Sequence, residues 1–181
     1  MKLLICSDIH GDLSSAEFII NLFHTKGCDK LLLLGDVLYH GPRNDLPDGY
    51  NPKGVIELLN KEKDNILAVR GNCDTEVDQM VLDFPILADY AYLSLDGISV
   101  LATHGHKYSL SSPPPMKKGE ILLCGHTHVV RCESFGEDNV YLNPGSVSIP
   151  KENTKKSYIV YENRAFTAYG FDGEIIFKKA F

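Results

Sequence analysis

The chain has 181 residues, with 18 basic and 24 acidic side chains for a formal charge of −6, and 44% of it is apolar. That composition excludes disorder, collagen and coiled coil, and it allows a core that needs no disulfide staple. The acidic balance argues against long nucleic acid as a partner, because no basic excess exists to neutralise many phosphates. From the N-terminus, Lys2–Cys6 is an apolar run that turns polar at Ser7-Asp8, so it reads as a buried strand and is too short for a secretory signal. A helix follows, with Ala16, Ile19, Ile20 and Phe23 at i, i+3, i+4 and i+7, Asp12 as N-cap, Ser14 and Glu17 spaced as a capping box, and Gly27 as stop. Lys30–Leu34 is a second buried strand, which makes the start a βαβ unit with a right-handed crossover. A helix near Lys53–Lys63, with Val55, Leu58 and Leu59 on one face, leads to the strand Ile66–Val69.

Beyond Leu87 the pattern changes to short runs: Tyr90–Leu95, Ser99–Thr103, Ile121–Cys124, Val129–Phe135, Val140–Leu142, Ser157–Tyr161, Ala165–Tyr169 and Ile175–Lys179. Tight turns such as Asp96-Gly97 and Asp172-Gly173 separate them, which predicts strands. The expectation is an α/β chain forming one domain over residues 1–181 with two packed sheets. Two proline-rich loops interrupt it, His40–Pro52 and Ser109–Gly119. No apolar run approaches the 18 or so residues of a membrane span. The five cysteines (Cys6, Cys28, Cys73, Cys124, Cys132) form no C-x-x-C pair and read as reduced thiols of a cytoplasmic protein.

Five predicted strands run directly into polar clusters: Asp8-Ile9-His10, Gly35-Asp36, Gly71-Asn72-Cys73-Asp74, Thr103-His104-Gly105-His106 and Gly125-His126-Thr127-His128. Carboxyl ends of strands in an open α/β sheet line one crevice, so these clusters should converge. Together they offer Asp, His and Asn donors without an obligatory thiolate, a mixture that suits Mn, Fe, Ni, Co or Zn. Any one of these residues alone would read as a turn former or an ordinary histidine; seven in register point to metal. Gly35, Gly71 and Gly125 mark sharp turns where backbone passes close to the site.

The order and types of these clusters resemble the calcineurin-like metallophosphoesterase superfamily, with its D-x-H, G-D, G-N-H-[DE], lone H and G-H-x-H pattern. The Gly71-Asn72-Cys73-Asp74 variant, the Gly41-Pro42-Arg43-Asn44 loop and the Asn143-Pro144-Gly145-Ser146 turn are similar to its small YfcE-type phosphodiesterases. The resemblance implies a four-layer α/β/β/α sandwich of two mainly β sheets flanked by helices. It implies two divalent ions, Mn above all: one held by Asp8, His10, Asp36 and His128, the other by Asp36, Asn72, His104 and His126, with Asp36 bridging. Such a pair, about 3.5–4 Å apart, would activate a shared hydroxide to attack a small phosphodiester. A phosphomonoester substrate is the nearest alternative, and a non-catalytic scaffold, the role of the retromer subunit with this fold, is the rival of another class.

Cys73 stands where the family's commoner pattern has a histidine, and its thiol is a weaker acid for a leaving group. Cys73, Asp74 and His106 are the catalytic candidates; Arg43, Asn72, Cys73 and His106 are the substrate contacts, with Arg43 suited to grip a phosphate oxygen bidentately. Asn143-Pro144-Gly145-Ser146 is expected to be a tight turn that supports the last metal loop. The β-rich C-terminal part offers a sheet edge for a homodimer or higher homo-oligomer.

Overall fold

The computed structural model describes residues 1–181. Strand β1 (Leu3–Cys6), helix α1 (Leu13–Thr25), strand β2 (Lys30–Leu33), helix α2 (Pro52–Asn60) and strand β3 (Ile66–Ala68) form a βαβαβ unit with parallel strands. Asp12 caps α1, accepting the Ser14 N–H at 3.1 Å and the Ser14 hydroxyl at 2.6 Å. With Asp12 as the N-cap and the helix starting at Leu13, Ser14 lies inside the first turn, so the Ser14–Glu17 capping box does not form. A one-turn helix, α3 (Glu76–Gln79), follows; four residues are too few to show a helical period in sequence.

The chain then builds a second sheet from β4 (Tyr90–Leu95), β5 (Ile98–Thr103), β6 (Ile121–Leu123), β7 (Val130–Phe135) and β8 (Asn139–Pro144), in the order β4-β5-β6-β8-β7. It returns to the first sheet with β9 (Ser157–Glu162), β10 (Ala165–Gly170) and β11 (Ile175–Ala180), giving β11-β10-β9-β1-β2-β3. Asn143 and Pro144 therefore close strand β8, and the expected four-residue turn is only the bend that starts at Gly145.

Strand side chains alternate between two cores. Leu4 and Cys6 join Leu31, Leu33, Ile19, Val55 and Leu59 beneath the helices, whereas Leu3 and Ile5 join Leu32, Val100, Ile121, Ile159 and Phe166 between the sheets. Both faces of β1 and β2 are thus buried, which is why they read as unbroken apolar runs. Truncating Leu32, fully buried between the sheets, to alanine would cost about 2–5 kcal/mol. Both α1 and α2 pack on the first sheet. The outer face of the second sheet carries Leu101, Leu122, Cys124 and Tyr141, packed against Leu110 and Met116. The covering segment there is the proline-rich loop, not a helix, because Pro113–Pro115 remove the amide donors a helix would need. No helix is long and apolar enough to cross a membrane.

Candidate metal centre

All seven candidate ligands lie within five residues of a strand's carboxyl end: Asp8 and His10 after β1, Asp36 after β2, Asn72 after β3, His104 after β5, His126 and His128 after β6. The crevice opens between two sheets and not along one, with β1, β2 and β3 parallel in the first and β5 and β6 parallel in the second. Asp8, His10, Asp36, His126 and His128 all adopt left-handed backbone, with φ between 50° and 66°. For non-glycine residues this costs about 1–2 kcal/mol each, and strain of this kind concentrates at functional sites. Two glycines admit the crowding: a Cβ on Gly71 would strike the Asp36 amide and carboxylate, and one on Gly125 would strike Ser7 and Asp8.

The donor atoms face one another in a way that calls for a cation. His10 Nδ1 donates to the Tyr39 carbonyl and His128 Nδ1 to the Ile149 carbonyl, both at 2.7 Å. Each Nε2 then carries a lone pair, and the two lie 3.3 Å apart. Both point at Asp8 Oδ1, from 3.5 and 3.2 Å, an oxygen that is buried and accepts no hydrogen bond. A second set repeats the arrangement. His104 donates Nδ1–H to the Leu34 carbonyl at 2.6 Å and turns Nε2 toward His126 Nδ1 at 3.2 Å, Asn72 Oδ1 at 3.1 Å and Asp36 Oδ2 at 3.4 Å. Asp36 Oδ2 also lies 3.7 Å from His10 Nε2, so this one carboxylate joins both sets. Orienting an imidazole through its other nitrogen, as at His10, His104 and His128, is the usual outer-shell device of metal sites. The residues present therefore fit a pair of divalent ions.

The same electrostatics shift protons. Burial disfavours charge on His104, but its bond to Asp36 and the charges of Asp8 and Asp36 push its pKa up to about 9. Burial would raise Asp8, yet His10 and His128 hold it well below the usual carboxylate range. Burial and then the Asp36 carboxylate push the Cys73 thiol up to about 12, so it stays an S–H at neutral pH.

Around these donors a network fixes the loops. Asp74 accepts backbone N–H bonds from Asp36, Val37 and Gly71 at 2.8, 2.9 and 2.7 Å. Ser146 and Ser148 both donate to the Asp8 carbonyl, and Asn143 donates to the Gly125 carbonyl at 2.7 Å. The expected support from the Asn143–Ser146 segment is thus a set of specific bonds to the first and last ligand loops.

A cavity of about 340 Å³ lies over the donors, lined by Asp36, Asn72, Cys73, His126 and His128 and by Arg43 among the rim residues. Cys73 Sγ lies with donor atoms of His10 and Asp36 inside a 4.8 Å cluster and receives the Asn72 amide at 3.2 Å. Two catalytic candidates are placed otherwise than expected. Asp74 is buried, accepts three backbone amides and lies outside the cavity lining, so it holds the Asp36 loop. His106 packs beside His104 and His126, at ring separations of 5.4 and 6.2 Å, but outside the cavity lining. Sequence reasoning missed Asn44, Thr127 and Lys151, which do line it; an exposed lysine two dozen residues from the last ligand carries no local signal.

Residues 1–165 match the model of the calcineurin-like phosphoesterase superfamily domain. The chain belongs to that superfamily. This calcineurin-like chain is 44% identical over 176 residues to phosphodiesterase YfcE of Escherichia coli K12, covering 97% of this chain and 95% of the relative. It superposes on a solved structure of the E. coli phosphoesterase YfcE with a TM-score of 0.96, at 44% identity and 99% coverage of each chain. Vacuolar protein sorting 29 from Cryptosporidium parvum, at TM-score 0.64, 18% identity, and coverage of 99% and 98%, shares the fold alone.

Proposed function

We propose that the chain is a metal-dependent phosphodiesterase that hydrolyses a small phosphodiester at the Asp8–His128 centre. The observation that carries this reading is the pair of facing donor sets joined through Asp36, together with the high identity to a relative named phosphodiesterase. Two divalent ions, when bound, would supply an activated water and neutralise charge on the phosphoryl oxygens. Asp8, His10 and His128 would hold one and Asn72, His104 and His126 the other, with Asp36 contributing to both. The resemblance to the family favours Mn²⁺, and the mixed oxygen and imidazole donors equally accept Ni, Fe, Co or Zn.

The chain's own residues do the rest. Arg43, at the cavity rim and in no ion pair, grips a non-bridging phosphate oxygen with two N–H donors. Cys73 offers its S–H to the departing alkoxide. Asp74 keeps the Asp36 loop in its left-handed turn. The five free cysteines make the cytoplasm the expected compartment, and an exposed sheet edge offers a place for a homodimer or higher homo-oligomer to form.

The test uses metal-stripped protein with Mn²⁺ returned. Bis(p-nitrophenyl) phosphate should be cleaved with a kcat/KM roughly tenfold above that for p-nitrophenyl phosphate. The reverse preference would make the substrate a phosphomonoester. No turnover of either with any divalent ion would make the chain a scaffold.

A further inference from the structure

Beyond the donor sets, the cavity lining is Gly41, Pro42, Arg43, Asn44, Thr127 and Lys151, with Asn72 and Cys73 between. Only one of the eleven lining residues is hydrophobic, and the only aromatic rings are the imidazoles of His126 and His128. A nucleobase or aryl group would find no flat apolar face to stack on. The one lining carboxylate, Asp36, is turned toward the histidines. The two other charged side chains, Arg43 and Lys151, are both cations, neither is in an ion pair, and they stand in a chain whose net charge is −6.

The backbone at Lys151 is fixed to the metal loop. Its N–H donates to the His128 carbonyl at 3.1 Å, and its own carbonyl accepts the Thr154 N–H and hydroxyl at 3.0 and 2.7 Å. A phosphodiester carries one negative charge, for which two divalent ions and Arg43 already suffice. Lys151 is therefore surplus to the scissile phosphate. We infer that Lys151 and Thr127 form a second anion subsite, so that the preferred substrate is a polar phosphodiester bearing a further anionic group, such as a carboxylate or phosphate, on one of its alcohols. This rests on the phosphodiesterase reading and names its substrate class.

The experiment compares p-nitrophenyl 3-carboxypropyl phosphate with its 3-carbamoylpropyl isostere, which share the leaving group and differ in one charge, using the Mn²⁺-loaded protein. The expected kcat/KM ratio is about fivefold in favour of the carboxylate, the scale of one exposed ion pair, and it resides in KM. Lys151→Gln brings the ratio to about one, and Lys151→Arg keeps most of it. A wild-type ratio of one, or a ratio that survives Lys151→Gln, overturns the subsite. Failure of the phosphodiesterase reading looks different: neither ester nor bis(p-nitrophenyl) phosphate is cleaved. Calorimetry with 3-phosphonopropionate and its amide reads the subsite without turnover. Tighter binding of the carboxylate that Lys151→Gln removes supports it, and equal binding overturns it.

Discussion

His10 and His128 stand 118 residues apart in the chain, yet their Nε2 atoms face each other at 3.3 Å while both Nδ1 hydrogens are held by backbone carbonyls. Two lone pairs at that distance repel unless a proton or a metal ion lies between them. The fold thus builds cation affinity into the junction of two sheets, and proton and metal compete for the same place.

That competition predicts how the metal-stripped protein responds to pH. His104 has a folded pKa of about 9 against a reference of 6.5, with burial opposing the charge and Asp36 and Asp8 favouring it. A raised folded value contributes stability that is present in full below pH 6.5 and is lost as pH rises through 9. Thermal melts in chelator should show Tm falling between those limits, and added Mn²⁺ should remove the fall. A Tm that climbs across the window would show that His104 is not held as the cation.

Asp74 should act on metal affinity and not on chemistry. Its carboxylate serves three N–H donors, and Asp74→Asn would leave all three without a charged acceptor and set an NH₂ against at least one of the amides. Mn²⁺ affinity is expected to drop by about 10–100-fold, with kcat recovered at saturating metal. A loss of kcat that excess metal does not rescue would give Asp74 a direct chemical role.

Arg43→Ala should raise KM by about tenfold, the scale of one charge-assisted hydrogen bond, with metal content unchanged. Metal analysis beside steady-state kinetics checks this, and wild-type kinetics in the variant would refute the assignment.

Cys73 stands where the family's commoner pattern has a histidine, and a thiol is a weaker proton donor than an imidazolium. Diesters with acidic leaving groups should accordingly be favoured, with aryl esters cleaved roughly 100-fold faster than alkyl esters of the same phosphate. Equal rates for the two would mean that an acid other than Cys73 serves the leaving group.

The convergence of the candidate donors was legible because each sits just past an apolar strand, where sequence shows both the strand and the abrupt change to Asp, His or Asn. The periodicity of Ala16, Ile19, Ile20 and Phe23 likewise declared α1, whose buried face they form. What stayed hidden depends on contacts remote in sequence. Nothing local says that β9–β11 return to pair beside β1, because their alternation fits either sheet. Asp74 looked chemical since an acid beside Asn72 invites that reading; only the three amides converging on it from two loops disclose its role. Lys151 reaches the cavity through a backbone bond to His128 that no spacing rule anticipates.

The most direct measurement is a titration of metal-stripped protein with Mn²⁺, following cleavage of bis(p-nitrophenyl) phosphate beside an Asp36→Asn variant. Two donor sets joined by Asp36 predict that activity rises until two equivalents per chain are bound, and that the variant stays at least about 100-fold less active at any metal concentration. Full activity at one equivalent, activity in chelator, or an active Asp36→Asn variant would contradict the shared-carboxylate centre.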